Sequence, residues 1–147
     1  MKILVFNEDT IQKIIPTENR VVISIQDNSC NFVPLPINNF RLGYLGLKFS
    51  DVDDIYVHNF NEWCQEAKIK PFTELYAILI LNFIKDYKNK VNLILVNCCA
   101  GISRSSAIAG ALSKILNGED EYYFKHYLPN RYVYRIILNT YYTIREK

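Results

Sequence analysis

Apolar positions along the chain change period several times, and each change marks a boundary between predicted elements. Lys2 to Phe6 and Val21 to Gln26 are short runs rich in Val and Ile, closed by polar residues, which predicts strands. Between them, Asn7 to Ile15 has helical spacing, with Asn7 or Asp9 as the N-cap. Asp27 to Asn39 carries Asn28, Ser29, Asn31, Pro34 and Pro36 and reads as a loop. Strand character returns over Leu42 to Phe49, interrupted by Gly43 and Gly46. Ser50 to Lys70 begins with Asp51, Asp53 and Asp54, continues through Tyr56, Phe60 and Trp63, and reads as a loop with a short helix.

Pro71 and Thr73 open a helix that runs to about Tyr87, with Thr73 as its N-cap. Its middle, from Leu75 to Ile84, is apolar on most faces, which predicts burial against a sheet. Val91 to Val96 is almost continuously apolar, as expected of a parallel strand covered on both sides. Three helical stretches follow: Ser105 to Leu116 with Gly118 as C-cap, Glu119 to Leu128, and Tyr132 to Glu146. Pro129-Asn130 separates the last two. Strands alternating with helices predict an α/β domain with a central, mostly parallel sheet flanked by helices. With no repeat or linker, residues 1–147 are expected to form one domain.

Composition narrows the classes of function. Apolar residues make up 50% of the chain and charged residues 22%, the balance of a packed globule rather than a disordered tail. A net charge of +2 gives no basic excess, so neither nucleic acid nor a membrane surface is an expected partner. The longest apolar run, Leu75 to Leu81, is far short of a membrane span. The apolar opening meets Asn7-Glu8-Asp9 too early for a secretory signal. Cys30, Cys64, Cys98 and Cys99 have no disulfide-framework spacing, which predicts a reduced, cytoplasmic chain. His58 and His126 are far apart in sequence, and no metal or other cofactor is expected.

One stretch carries chemistry. Val91 to Ser106 reads as a buried strand, a short loop and the start of a helix, with the loop Cys98-Cys99-Ala100-Gly101-Ile102-Ser103-Arg104-Ser105 between them. Such a junction can aim successive backbone N–H groups into one concavity at the positive end of a helix, which is an anion site. Gly101 permits the tight backbone course. Arg104 brings a forked guanidinium that can bind two phosphate oxygens. Amide dipoles and a guanidinium beside Cys98 favour thiolate over thiol, and so a nucleophile facing phosphorus. Cys99 does not form a Cys-x-x-Cys redox pair and is expected to be an incidental or structural thiol.

This loop resembles the signature loop of the cysteine-dependent protein tyrosine phosphatases, in their dual-specificity branch. Tyr44-Leu45-Gly46-Leu47-Lys48-Phe49-Ser50-Asp51 is similar to the segment that leads into that family's general acid. The resemblance implies that Cys98 attacks phosphorus and becomes a cysteinyl phosphate. It also implies that Arg104 and the N–H groups of Cys99, Ala100, Gly101, Ile102, Ser103 and Arg104 hold the phosphoryl oxygens. Ser105 would hydrogen-bond the Cys98 sulfur, and Asp51 would serve as general acid and then base. The family's His before the nucleophile is Asn97 here, which can support the loop but cannot carry charge, so a slower enzyme is expected. Asp51 also lies further from Cys98 than is usual in the family. An insertion around Ile55 to Lys70 would account for this, and it leaves Asp54 and Asp53 as alternative acids.

The expected function is therefore hydrolysis of phosphotyrosine in proteins or peptides, with phosphoserine and phosphothreonine as further substrates, by a chain expected to be monomeric. The variable loop positions carry no lysine, which disfavours highly anionic substrates such as phosphoinositides. Two other readings stay open: a phosphatase-like phosphate-binding module with weak or no turnover, and a sulfur-transfer domain, which Gly101 and Arg104 fit less well.

Overall fold

Four strands, β1 (Lys2–Phe6), β2 (Arg20–Gln26), β3 (Arg41–Lys48) and β4 (Leu93–Asn97), form one sheet in the order β1-β4-β2-β3, and every pairing is parallel. The computed structural model describes residues 1–56 and 58–145. Helices α1 (Glu8–Ile11), α2 (Phe60–Ala67), α3 (Glu74–Tyr87), α4 (Arg104–Asn117), α5 (Glu121–His126) and α6 (Arg131–Arg145) make up the rest, with a 3-10 turn at Asp54–Tyr56. Residue 146, where the sequence pattern ends the last helix, lies outside the described residues.

β2 and β4 are the two inner strands, and every residue of both is buried. Their side chains alternate between two cores, which explains the absence of polar alternation in sequence. Val21, Ile23, Ile25, Ile94 and Val96 face the larger core, built with Phe49, Phe72 and residues of α3, α4 and α6. Val22, Leu93 and Leu95 face a smaller one, closed by Ile11 of α1 and by Val33 and Leu35 of the loop after β2. Helices therefore cover one face, while a single short helix and a loop cover the other.

Capping follows the sequence closely. The Asn7 side chain accepts from the Thr10 N–H at the start of α1, and Thr73 does the same for Tyr76 at the start of α3. Gly118 ends α4 in the left-handed conformation that a C-cap requires. The short helix expected within Ser50 to Lys70 is α2, anchored to α6 by Phe60 and Tyr132, whose ring centroids lie 4.8 Å apart. α1 is shorter than its pattern predicts, ending at Ile11 rather than Ile15, and α3 is buried against the sheet on one side only. α3 buries Ala77, Ile80 and Ile84 but leaves Leu75 62% and Leu79 41% exposed, so it is covered along one stripe rather than on most faces. Its apolar composition exceeds what its single packed side needs.

α5 ties α4 to the sheet through Tyr123. Its ring lies over Gly110 of α4, and its hydroxyl donates to the Ile3 carbonyl at 2.7 Å. Burial, then the neighbouring Tyr122 and Tyr127, pushes the Tyr123 phenol up to about 12. A raised phenol value means the folded state keeps a proton that the unfolded chain releases near its ordinary 10. That contribution is intact below pH 10 and is lost as pH rises toward about 12. Urea unfolding should show wild-type stability falling through this window, and Tyr123→Phe should flatten part of the fall. The same variant should cost about 1–2 kcal/mol at neutral pH, because the Ile3 carbonyl loses its buried donor.

Candidate active site

The loop between β4 and α4 is shaped by what holds its carbonyls. The Cys99 carbonyl accepts from the Glu8 N–H at 3.2 Å, the Ile102 carbonyl from the Leu128 N–H at 3.3 Å, and the Ser103 carbonyl from the Asn130 N–H at 3.0 Å. The Ser106 hydroxyl also donates to the Ile102 and Ser103 carbonyls. In a trans peptide the C=O and the following N–H point in opposite directions. Carbonyls turned toward these donors therefore turn the N–H groups of Ala100, Ser103 and Arg104 the other way. α4 adds to this: Ser103 at its N-cap makes no side-chain capping bond, and no acidic residue lies in the first turn. Its opening N–H groups are left for an anion.

Gly101 is the residue that lets the loop close. Its φ is +68°, and a Cβ there would sit 2.6 Å from the Asn7 nitrogen and 2.7 Å from the Phe6 carbonyl carbon. The loop thus packs directly on the backbone where β1 passes into α1, and only glycine fits both the angle and the space.

Cys98 is buried at the floor of the loop, with Sγ 3.0 Å from Ser105 Oγ. Arg104 is 6% exposed, and its Nη1 donates to Asp27 Oδ1 and to the Phe49 carbonyl, each at 2.8 Å. Asp27 follows β2 and Phe49 follows β3, so the guanidinium bridges two strand ends. Both bonds use Nη1, and neither uses the Nε–Nη2 edge of the fork. Asn97 is buried at the end of β4, and its Oδ1 has no hydrogen-bond partner among the described residues. Cys99 is exposed, with its thiol toward Glu8 at 3.7 Å. Desolvation, followed by the Glu8 carboxylate, pushes that thiol up and keeps it protonated. Of the two adjacent cysteines, Cys98 is buried and Cys99 exposed.

The three aspartates after β3 separate clearly. Asp51 Oδ1 accepts from Ser103 Oγ at 2.9 Å and from Asn130 Nδ2 at 2.8 Å, which places it at the edge of the Cys98–Arg104 loop. Asp53 turns its carboxylate onto its own turn and accepts from the Ile55 N–H at 3.1 Å. Asp54 is paired with Arg135 of α6. The Arg135 hydrogen bond holds the Asp54 carboxyl below the usual carboxylate range, against a smaller opposing effect of burial. A cavity of about 350 Å³ opens beside Asp51, Ser103, Pro129 and Asn130. Among the described residues no group of His, Cys, Asp and Glu could hold a metal ion, and no helix is long and apolar enough to cross a membrane.

No family model and no curated protein matches this sequence. The structure, however, is similar to the crystal structure of human tyrosine phosphatase-like serine/threonine/tyrosine-interacting protein. The TM-score is 0.55 at 20% identity, covering 86% of this chain and 78% of that one. The likeness is one of fold: the chain is an α/β unit that shares the fold of that tyrosine phosphatase-like protein, with the Cys98–Arg104 loop between its buried strand β4 and α4.

The structure adds three residues to those singled out from sequence: Asp27 against Arg104, Glu8 against the Cys99 carbonyl, and Asn130 against Asp51. Only Asn130 carried a local signal, as a capping residue after Pro129 and before a helix. If Gly101 has the part described, Gly101→Ala should destabilise the protein by about 1–3 kcal/mol from backbone strain, before any clash is counted. Denaturant melts would measure that. Isothermal titration with tungstate should show anion affinity falling in the same variant, because the cradle cannot keep its course.

Proposed function

We propose that the chain is a metal-independent phosphate monoester hydrolase acting on phosphotyrosine in proteins or peptides through a cysteinyl-phosphate intermediate. The observation that carries this reading is the Cys98 thiol, 3.0 Å from Ser105 Oγ, beneath a loop whose carbonyls are bound on its outer side. In the first step the Cys98 sulfur attacks phosphorus in line and the bond from phosphorus to the leaving oxygen breaks. The inward N–H groups and the Nε–Nη2 edge of Arg104 hold the equatorial oxygens as charge redistributes. Asp51 gives its proton to the departing oxygen. In the second step water attacks phosphorus, Asp51 takes the water proton, and the phosphorus–sulfur bond breaks with Ser105 hydrogen-bonded to the leaving sulfur.

Asp51 is preferred as the acid over Asp53 and Asp54 because it alone of the three is bonded to the phosphate-type loop. The Arg135 pairing also disfavours the protonated form of Asp54. A second reading, a phosphate-binding module with weak turnover, is favoured by one feature. Asn97, with no charge to offer, stands where the resembled family has an imidazole.

Hydrolysis of para-nitrophenyl phosphate by wild type, Cys98→Ser, Asp51→Ala, Asp53→Ala and Asp54→Ala tests the assignment. Cys98→Ser should abolish turnover, and Asp51→Ala should lower kcat by about a hundredfold, the ordinary worth of a general acid. Asp53→Ala and Asp54→Ala should keep most of the activity. Folded wild-type protein that binds tungstate but turns nothing over would overturn the catalytic reading in favour of the binding module.

A further inference from the structure

Arg20, at the start of β2, is 2% exposed and is among the largest side chains that the fold encloses. It lies at the opposite end of the sheet from the Cys98–Arg104 loop. Its Nη1 donates to the Pro16 carbonyl and to Asn38 Oδ1, each at 3.0 Å. Both acceptors are neutral, and neither uses the Nε–Nη2 edge of the fork. The residue beside it in register on β3 is a second cation, Arg41, which lies over the Tyr44 ring at 5.5 Å. Among the described residues no carboxylate comes within 4.0 Å of either guanidinium. Like charges facing each other across adjacent strands repel, and a buried charge without a counter-charge is costly. Burial, then the charge of Arg41, pull the Arg20 guanidinium below its ordinary value.

Both arginines line one cavity of about 10 Å³, walled by Ile11, Val22, Leu35 and Leu95 of the smaller core. We propose that this cavity is a halide site, with a chloride ion held between Arg20 and Arg41. Space of that order takes one water-sized particle, so it admits a monatomic ion and excludes phosphate, sulfate and carboxylate-bearing ligands. A water there would accept hydrogen bonds but bring no charge to set against two guanidiniums. A monovalent ion also loses less hydration on entering apolar walls than a doubly charged one. The ion offsets the repulsion where β2 and β3 begin, at the point where Asn38 ties the loop after β2 back to the sheet. The site is separate from the Cys98–Arg104 loop and does not depend on the catalytic reading.

Thermal melts at constant ionic strength, with chloride replacing gluconate, read the site out. The wild-type midpoint should rise by about 2–4 °C, the shift expected of an ion bound by the folded state alone and present at several times its Kd. Arg41→Gln removes one of the two facing charges at a half-buried position, and it should fold and lose most of that shift. Because the Cys98–Arg104 loop can also take an anion, the difference between wild type and variant is the measure. Crystals transferred from chloride to bromide should give an anomalous peak between Arg20 and Arg41 in the wild type, and none there in Arg41→Gln. Equal chloride shifts in the two proteins, or bromide at the Cys98–Arg104 loop only, would overturn the proposal and leave Arg20 a structural link between Pro16 and Asn38. A wild-type midpoint that ignores the exchange of chloride for gluconate would overturn it as well.

Discussion

The buried guanidinium of Arg104 is the constraint around which the site is arranged. A cation this enclosed costs several kcal/mol in lost hydration unless acceptors meet it in the right geometry. Here the acceptors are Asp27 Oδ1 and the Phe49 carbonyl, the first residues beyond β2 and β3. Satisfying one side chain at the start of α4 therefore fixes where two neighbouring strands hand over to their loops. Phe49 is held from its other side: its ring packs edge-on against Phe72 with centroids 4.9 Å apart, in the larger core. Asp51 is two residues further on, so this apolar anchor and buried charge bring its segment to the loop, where Ser103 and Asn130 hold its carboxyl.

What the sequence made legible is local. The strand–loop–helix at residues 91–116 could be read because a buried parallel strand, a glycine and a capped helix leave their marks within a few residues of one another. The partners that shape the loop leave no such marks. Glu8, Asp27 and Asn130 reach Cys99, Arg104 and Asp51 across long separations in the chain; Glu8 and Asp27 look like ordinary polar residues beside a turn, and Asn130 shows itself only as a helix cap. The apolar surplus of α3 says less for a related reason. Composition shows how much apolar surface a helix has, but not how many neighbours the topology places around it. Leu75 and Leu79 lie on a side that the neighbouring elements leave open.

The choice among three aspartates shows the same limit at finer grain. In sequence, Asp51, Asp53 and Asp54 form one acidic turn with nothing to rank them beyond the resemblance of the residues before it. In the fold each meets a different partner: two neutral donors for Asp51, a local amide for Asp53, a guanidinium for Asp54. Neutral donors orient a carboxyl without stabilising its charge as strongly as a cation does. The arginine-bound carboxylate is suited to holding α6 against the segment that leads into α2.

Asn97 sharpens what the loop itself must accomplish. It pairs in register with Phe6 on one side and Ser24 on the other, so the residue before Cys98 lies in the middle of the sheet. An amide there contributes a dipole but no charge, and its unpartnered Oδ1 lowers rather than raises the positive potential nearby. The groups able to meet an anion in the loop lie on its other side: the opening N–H groups of α4, the Ser105 hydroxyl and the Arg104 guanidinium. The N–H groups are turned by the donors that hold the loop carbonyls, from the start of α1 and from the connection between α5 and α6, while the guanidinium is held by Asp27 and the Phe49 carbonyl. With no imidazolium in the strand, the electrostatics of the site depend on the contacts that hold the backbone of the loop.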